Sequence, residues 1–170
     1  MSETAIAVLF PELEPIVGEW RRLYTNDGAR EMPPHVTLIY PFADSSDVGD
    51  KLATVASELA RFRAFEVAFR STSRFPGTLF LPPAPAEPFA AMTASLVRAF
   101  PRYPPYGGAF DEAVPHLTVA HGDPALLDAL ESELADLDVS ARVEQAWLVE
   151  NRAEGWRRHT PFPLNRSERV

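Results

Sequence analysis

Pro34-His35-Val36-Thr37-Leu38 decides the reading of this chain, because Pro115-His116-Leu117-Thr118-Val119 repeats its pattern in the second half. Both pentads run Pro-His-aliphatic-Thr-aliphatic. At ordinary residue frequencies one such pentad falls in roughly one chain in a thousand of this size, so a pair is more than composition supplies. Alternating aliphatic and polar residues predict a strand in each. Side chains two apart on a strand share a face. His35 therefore stands with Thr37 and His116 with Thr118, while Val36, Leu38, Leu117 and Val119 turn into a core. Two such strands side by side would bring two imidazoles and two hydroxyls to one cleft.

Outward from the first pentad, Thr4 to Phe10 predicts a buried strand. A helix follows with Pro15 in its first turn and Ile16, Val17, Trp20, Leu23 and Tyr24 at helical spacing, ended by Asn26-Asp27-Gly28. Met32-Pro33-Pro34 leads into the first His strand and Pro41 closes it. Asp47 is placed to cap a second helix through Leu52, Val55, Ala56 and Leu59. Phe65 to Phe69 and Thr78 to Leu81 read as strands, joined by a turn-rich link from Ser71 to Gly77. Pro82, Pro83, Pro85 and Pro88 make a stiff hinge. A third helix carries Phe89, Met92, Leu96, Val97 and Phe100, and a loop from Pro101 to Phe110 enters the second His strand. Asp123-Pro124 is an N-cap and N1 proline for a fourth helix with a leucine face. Strands from Val143 to Glu150 and Trp156 to Leu164 close the chain, the last placed at an edge by Pro161 and Pro163. The order helix, His strand, helix, strand, strand thus occurs twice, over about residues 15–82 and 88–164, with one strand ahead of both. We read one domain, 1–170, with two pseudo-repeats around a twofold axis and the His-Thr faces at the seam.

The 170 residues, 46% of them hydrophobic, can bury a core. The chain has no cysteine, which excludes disulfides and thiolate metal sites and fits a reducing cytoplasm. Ser2-Glu3 offers no basic leader and Ala5 to Phe10 is too short to cross a bilayer, so no membrane association is expected. Net charge is −8, with 24 acidic residues against 16 basic ones of which Lys51 is the only lysine. That balance argues against an extended nucleic-acid surface. A small anion in one pocket stays open, since a site's field can differ in sign from the whole molecule's. A monomer is expected.

Two facing histidines suit paired acid-base work, one taking a proton while the other gives one. A hydroxyl two residues along can donate to a non-bridging phosphate oxygen. His35 and His116 are thus the candidate catalytic pair, and Thr37 and Thr118 the candidate phosphate-binding pair; no metal and no cofactor is called for. One His-x-Thr alone is usually structural, and it is the repetition that reverses this. His121, five residues after His116, falls on the opposite face of a regular strand and reads as core or loop. The same parity argues against a zinc site built from the four histidines, and nothing singles out His159. Tyr40, Phe75, Tyr103, Tyr106 and Trp156 could stack on a base, though such residues more often fill cores. Phe75 and Tyr106 are best placed, each in a link beside a His strand. Arg74, Arg157 or Arg158 could supply a guanidinium.

At the two pentads, and in the order of elements over nearly the whole chain, the sequence resembles the 2H phosphoesterase superfamily, within it the 2′–5′ RNA ligase or RNA 2′,3′-cyclic phosphodiesterase-like family. The resemblance implies an α+β bilobal fold, with two antiparallel sheets lining a central cleft and helices outside. It also implies a metal-independent enzyme that opens 2′,3′-cyclic phosphates or related diesters, with His35 and His116 as acid and base and Thr37 and Thr118 on the phosphate. Some members join RNA ends through 2′–5′ bonds, and others bind nucleotides without turnover. The acidic surface favours a small nucleotide or a short RNA end bearing a cyclic phosphate over a long RNA.

Overall fold

The computed structural model describes residues 2–104 and 114–166. Tyr106, a candidate for base contact, lies outside them. The elements run β1 (Thr4–Leu9), α1 (Glu14–Tyr24), a single helical turn α2 (Asn26–Ala29), β2 (His35–Ile39), α3 (Leu52–Leu59), β3 (Phe65–Phe69), β4 (Ser73–Phe75) and β5 (Thr78–Leu81). The second half continues with α4 (Glu87–Ala99), β6 (Leu117–His121), α5 (Pro124–Glu133), β7 (Val139–Val143), β8 (Gln145–Arg152) and β9 (Gly155–Pro163). No helix of the described residues is long and apolar enough to cross a membrane.

Every strand pairing is antiparallel. The two His strands belong to different sheets, a four-stranded one ordered β2-β1-β8-β9 and a three-stranded one ordered β4-β5-β6, and β3 pairs with β7 in a third ladder. Exchanging β1-α1-β2-α3-β3-β4 for β5-α4-β6-α5-β7-β8 maps β1–β2 onto β5–β6, β1–β8 onto β5–β4 and β3–β7 onto itself, and leaves β8–β9 without a counterpart among the described residues. The helices cross over, α1 packing against β6 and α4 against β2. This places the two His strands against each other at the seam. Behind them one core joins both halves, with Val36, Leu38, Leu117 and Val119 almost wholly buried, as the alternation required.

Several local expectations change. On α1 the buried positions are Val17, Gly18 and Arg21, whereas Ile16 and Leu23 face solvent. The inward stripe follows the i, i+4 ladder of Leu13, Val17 and Arg21, and the charge on it is offset by partners described below. α3 enters through a 3₁₀ turn, Gly49–Lys51, without a side-chain cap, and Asp47 instead offers its carbonyl to Lys51 Nζ. The link after β3 contains β4, and β7 adds a strand ahead of Val143 whose Val-Ser-Ala-Arg-Val alternation pairs with β3. The N-cap at Asp123 holds: its carboxylate accepts from Leu126 N at 2.9 Å, with Pro124 at N1. Replacing Asp123 by Ala should cost about 1 kcal/mol of stability in urea unfolding, and by Asn far less.

Candidate active site

Each histidine is locked by its own strand entry. His35 Nδ1 lies 2.8 Å from Pro33 O and His116 Nδ1 lies 2.6 Å from Val114 O. A carbonyl can only accept, so Nδ1 carries the proton in both rings and Nε2 is the basic nitrogen of each. The intervening proline, Pro34 or Pro115, fixes its own φ and keeps the residue before it extended. That bends the backbone so the carbonyl two residues back meets the ring. The repeated proline is thus part of the site.

The two strands open onto a cleft of about 320 Å³ lined by His35, Thr37, His116 and Thr118, together with Ala5, Asn26, Asp27, Met32, Tyr40, His121 and Trp156. All four residues of the two His-x-Thr pairs meet there. So does His121, against the parity expectation, and the reason is a bulge. On β5–β6 the register runs Leu79 to Ala120 and then Phe80 to Thr118, skipping Val119. One extra residue reverses the alternation beyond it. His121 therefore returns to the cleft face, where its Nδ1 lies 2.9 Å from Thr78 Oγ1. The first strand does the same: Ile6 pairs with Ile39 and Ala7 with Thr37, skipping Leu38, and Tyr40 swings onto the cleft. The sequence does carry a signal for this. Leu38-Ile39 and Val119-Ala120 are consecutive buried apolar pairs that a regular two-faced strand would not place side by side.

Two site residues, Arg21 and Asp27, are not among those the sequence singles out. Arg21 is 1% exposed. Its Nη1 donates to Thr118 O at 2.7 Å, and its Nη2 donates to Met32 O at 3.1 Å, to Pro33 O at 3.4 Å and to Asp27 Oδ1 at 3.2 Å. The guanidinium thus ties the entry of one His strand to the middle of the other, sharing with the His35 ring the carbonyl of Pro33. Asp27 sits on α2, whose start Thr25 caps by accepting from Gly28 N. Its second oxygen lies 3.6 Å from His35 Nε2. Asn-Asp-Gly reads as a helix stop; it is a stop, and it also delivers a carboxylate to the cleft.

Burial, followed by the nearby Arg21 charge, pushes the His35 imidazole down to about 4, against the opposing pull of Asp27 and Pro33 O. His116 is lowered as well, again first by burial. Tyr40 donates to Glu3 Oε1 at 2.7 Å, and burial and this bond raise its phenol to about 12, so it stays protonated.

The other candidates stand elsewhere. Phe75 stacks on Phe80 (4.3 Å between centroids) and both rings meet His116 edge-on, Phe75 at 5.2 Å; Phe75 buttresses that imidazole and does not line the cleft. Tyr103 packs on Phe42, whereas Trp156 lines the cleft beside Tyr40. Arg74 pairs with Asp128 and Glu131, Arg157 with Glu31, and Arg158 lies over the Trp147 ring. His159 meets Thr160 away from the cleft. Among the described residues no group of three or more His, Asp or Glu is arranged to hold a metal ion.

This fold, with paired His-x-Thr strands at the seam between two sheets, defines a class. The model of the 2′-5′ RNA ligase superfamily matches residues 9–155, and the chain belongs to that family. Among solved structures it is similar to TT0787 of Thermus thermophilus (21% identity, 98% of this chain and all of that one, TM-score 0.63). It is also similar to E. coli LigT in its apo form (16% identity, 97% and 98% covered, TM-score 0.62) and to LigT complexed with 3′-AMP (14% identity, 96% and 98% covered, TM-score 0.55). No protein with a curated description matches the sequence.

The geometry sets two expectations for stability. Arg21→Met strands the Thr118 and Met32 carbonyls and Asp27; it should lose about 3 kcal/mol in urea unfolding, whereas Arg22→Met, which breaks an exposed pair with Glu14, should lose under about 1 kcal/mol. His35 binds its proton less readily folded (about 4) than unfolded (6.5). Its contribution is therefore intact above pH 6.5 and is lost as pH falls towards 4, by about 3 kcal/mol. His35→Asn should flatten that part of a stability-against-pH curve.

Proposed function

We propose that the protein is a cyclic phosphodiesterase that opens a 2′,3′-cyclic phosphate on a nucleotide or short RNA end without a metal. The observation that carries this is the pair of histidines on one cleft, each with Nδ1–H bound to a backbone carbonyl so that Nε2 is the basic nitrogen, and each with a threonine two residues along on the same face. Such a pair divides the work that phosphoryl chemistry needs. One Nε2, unprotonated, takes a proton from water as it attacks phosphorus, and the other ring, entering the step as the imidazolium, gives its Nε2 proton to the leaving ribose oxygen. The threonine hydroxyls donate to the non-bridging oxygens. Burial lowers both imidazoles, His35 to about 4, so both are poised to exchange protons at the cleft and the substrate's leaving oxygen decides which serves as acid. The cleft volume fits one nucleotide, and LigT, of the same fold, has been crystallised with 3′-AMP. The same pair run in reverse would join a cyclic phosphate to a hydroxyl, the ligation for which the family is titled.

The test is hydrolysis of 2′,3′-cyclic nucleotides in EDTA with products separated by chromatography. Wild type should turn over with a bell-shaped pH profile. His35→Ala and His116→Ala should each fall by about 10²- to 10⁴-fold while still melting cooperatively. Activity surviving in both variants would reject the histidine pair.

A further inference from the structure

Among the described residues the cleft has no Lys or Arg in its lining, and the one carboxylate there is Asp27. Arg21 lies behind the wall, its Nη1 and Nη2 donors committed to carbonyls and to one oxygen of Asp27. Asp27 is thus anchored by Oδ1 and presents Oδ2 beside His35 Nε2, the nitrogen that would meet substrate. Burial pushes this carboxyl up, but His35, Arg21 and hydrogen bonds from Thr25 and Gly28 outweigh that and keep it ionised.

We propose that Asp27 makes the cleft select phosphodiesters over phosphomonoesters, so that the product of ring opening is disfavoured where it forms. The inference rests on the phosphodiesterase reading and deepens it. A diester carries one negative charge, and a monoester close to two above its second ionisation near pH 6. For each added charge, a protonated histidine attracts, Asp27 beside His35 repels, and among the described lining residues no cation offsets the loss of hydration. Hydrolysis supplies that charge. Water adds to phosphorus, the bond to one ribose oxygen breaks, that oxygen takes a proton, and the new P–OH then ionises. The titratable groups lining the cleft among the described residues are His35, His116, His121, Asp27 and the phenol of Tyr40.

Calorimetric titration with 2′-deoxyadenosine 3′-monophosphate and its methyl diester, neither of which can cyclise, tests this. At pH 8 wild type should bind the diester about tenfold more tightly. Asp27→Asn should bring the two ligands to near-equal affinity, and Asp27→Glu should keep the wild-type preference. A second measurement needs no variant. Between pH 5 and pH 8 the diester's charge is constant and its affinity reports the histidines, so the monoester-to-diester affinity ratio should fall about tenfold around pH 6. A ratio that stays flat with pH, or a folded Asp27→Asn with the wild-type ratio, overturns the role of Asp27 and leaves the phosphodiesterase reading standing. Binding of neither ligand to wild type rejects the phosphate site itself, and this inference with it.

Discussion

The buried guanidinium of Arg21 is the constraint on which the site depends. It reaches the carbonyl of Thr118 on β6 and the carbonyls of Met32 and Pro33 at the entry to β2. The His strands belong to separate sheets, so no β-ladder sets their spacing. A cation with planar, fixed donors can do so, because its hydrogen bonds fail if the strands slide. The burial is costly and would be unsupportable without those acceptors and Asp27. Arg21 does not line the cleft; it acts through the backbone that carries the groups which do.

A second constraint is the repeated bulge. Skipping Leu38 in one strand and Val119 in the other turns a two-residue motif into a three-residue one, adding Tyr40 and His121 to their faces. The two additions differ in chemistry. Tyr40 donates a hydrogen bond to Glu3 and packs near Trp156, making its side of the cleft aromatic. His121 is held by Thr78 and adds a third imidazole to the cleft lining. The backbone is nearly symmetric and the side chains are not, so the twofold scaffold carries a cleft whose two halves differ in chemistry.

Much of this is legible in the chain. Repetition of Pro-His-x-Thr marks the strands, their outward faces and the seam, because a strand's period of two depends only on local geometry. The Asp123-Pro124 cap is legible for the same reason. What escapes is non-local. Arg21 sits on an amphipathic helix where charge ordinarily faces water, and only the carbonyls that tertiary structure brings to it make burial tolerable. Asp27 reads as a terminator because its partners, Arg21 and His35, converge only in the folded chain. His121 is misplaced by parity for a different cause: parity holds only while a strand is regular, and the adjacent apolar residues Val119 and Ala120 carry the warning. Strand β7 is hard to see because its partner, β3, is remote in sequence.

The crossed helices bear on how the molecule comes into being. Since α1 lies on β6 and α4 on β2, each half furnishes the lid for the other's apolar face. A nascent chain that has emerged only as far as Phe75 holds β2 without its covering helix and α1 without its bed. The contacts that cover both apolar faces lie far apart along the chain, the kind of non-local pairing whose loop-closure cost must be met before it stabilises. The cleft, lined from both halves, is a property of neither half alone.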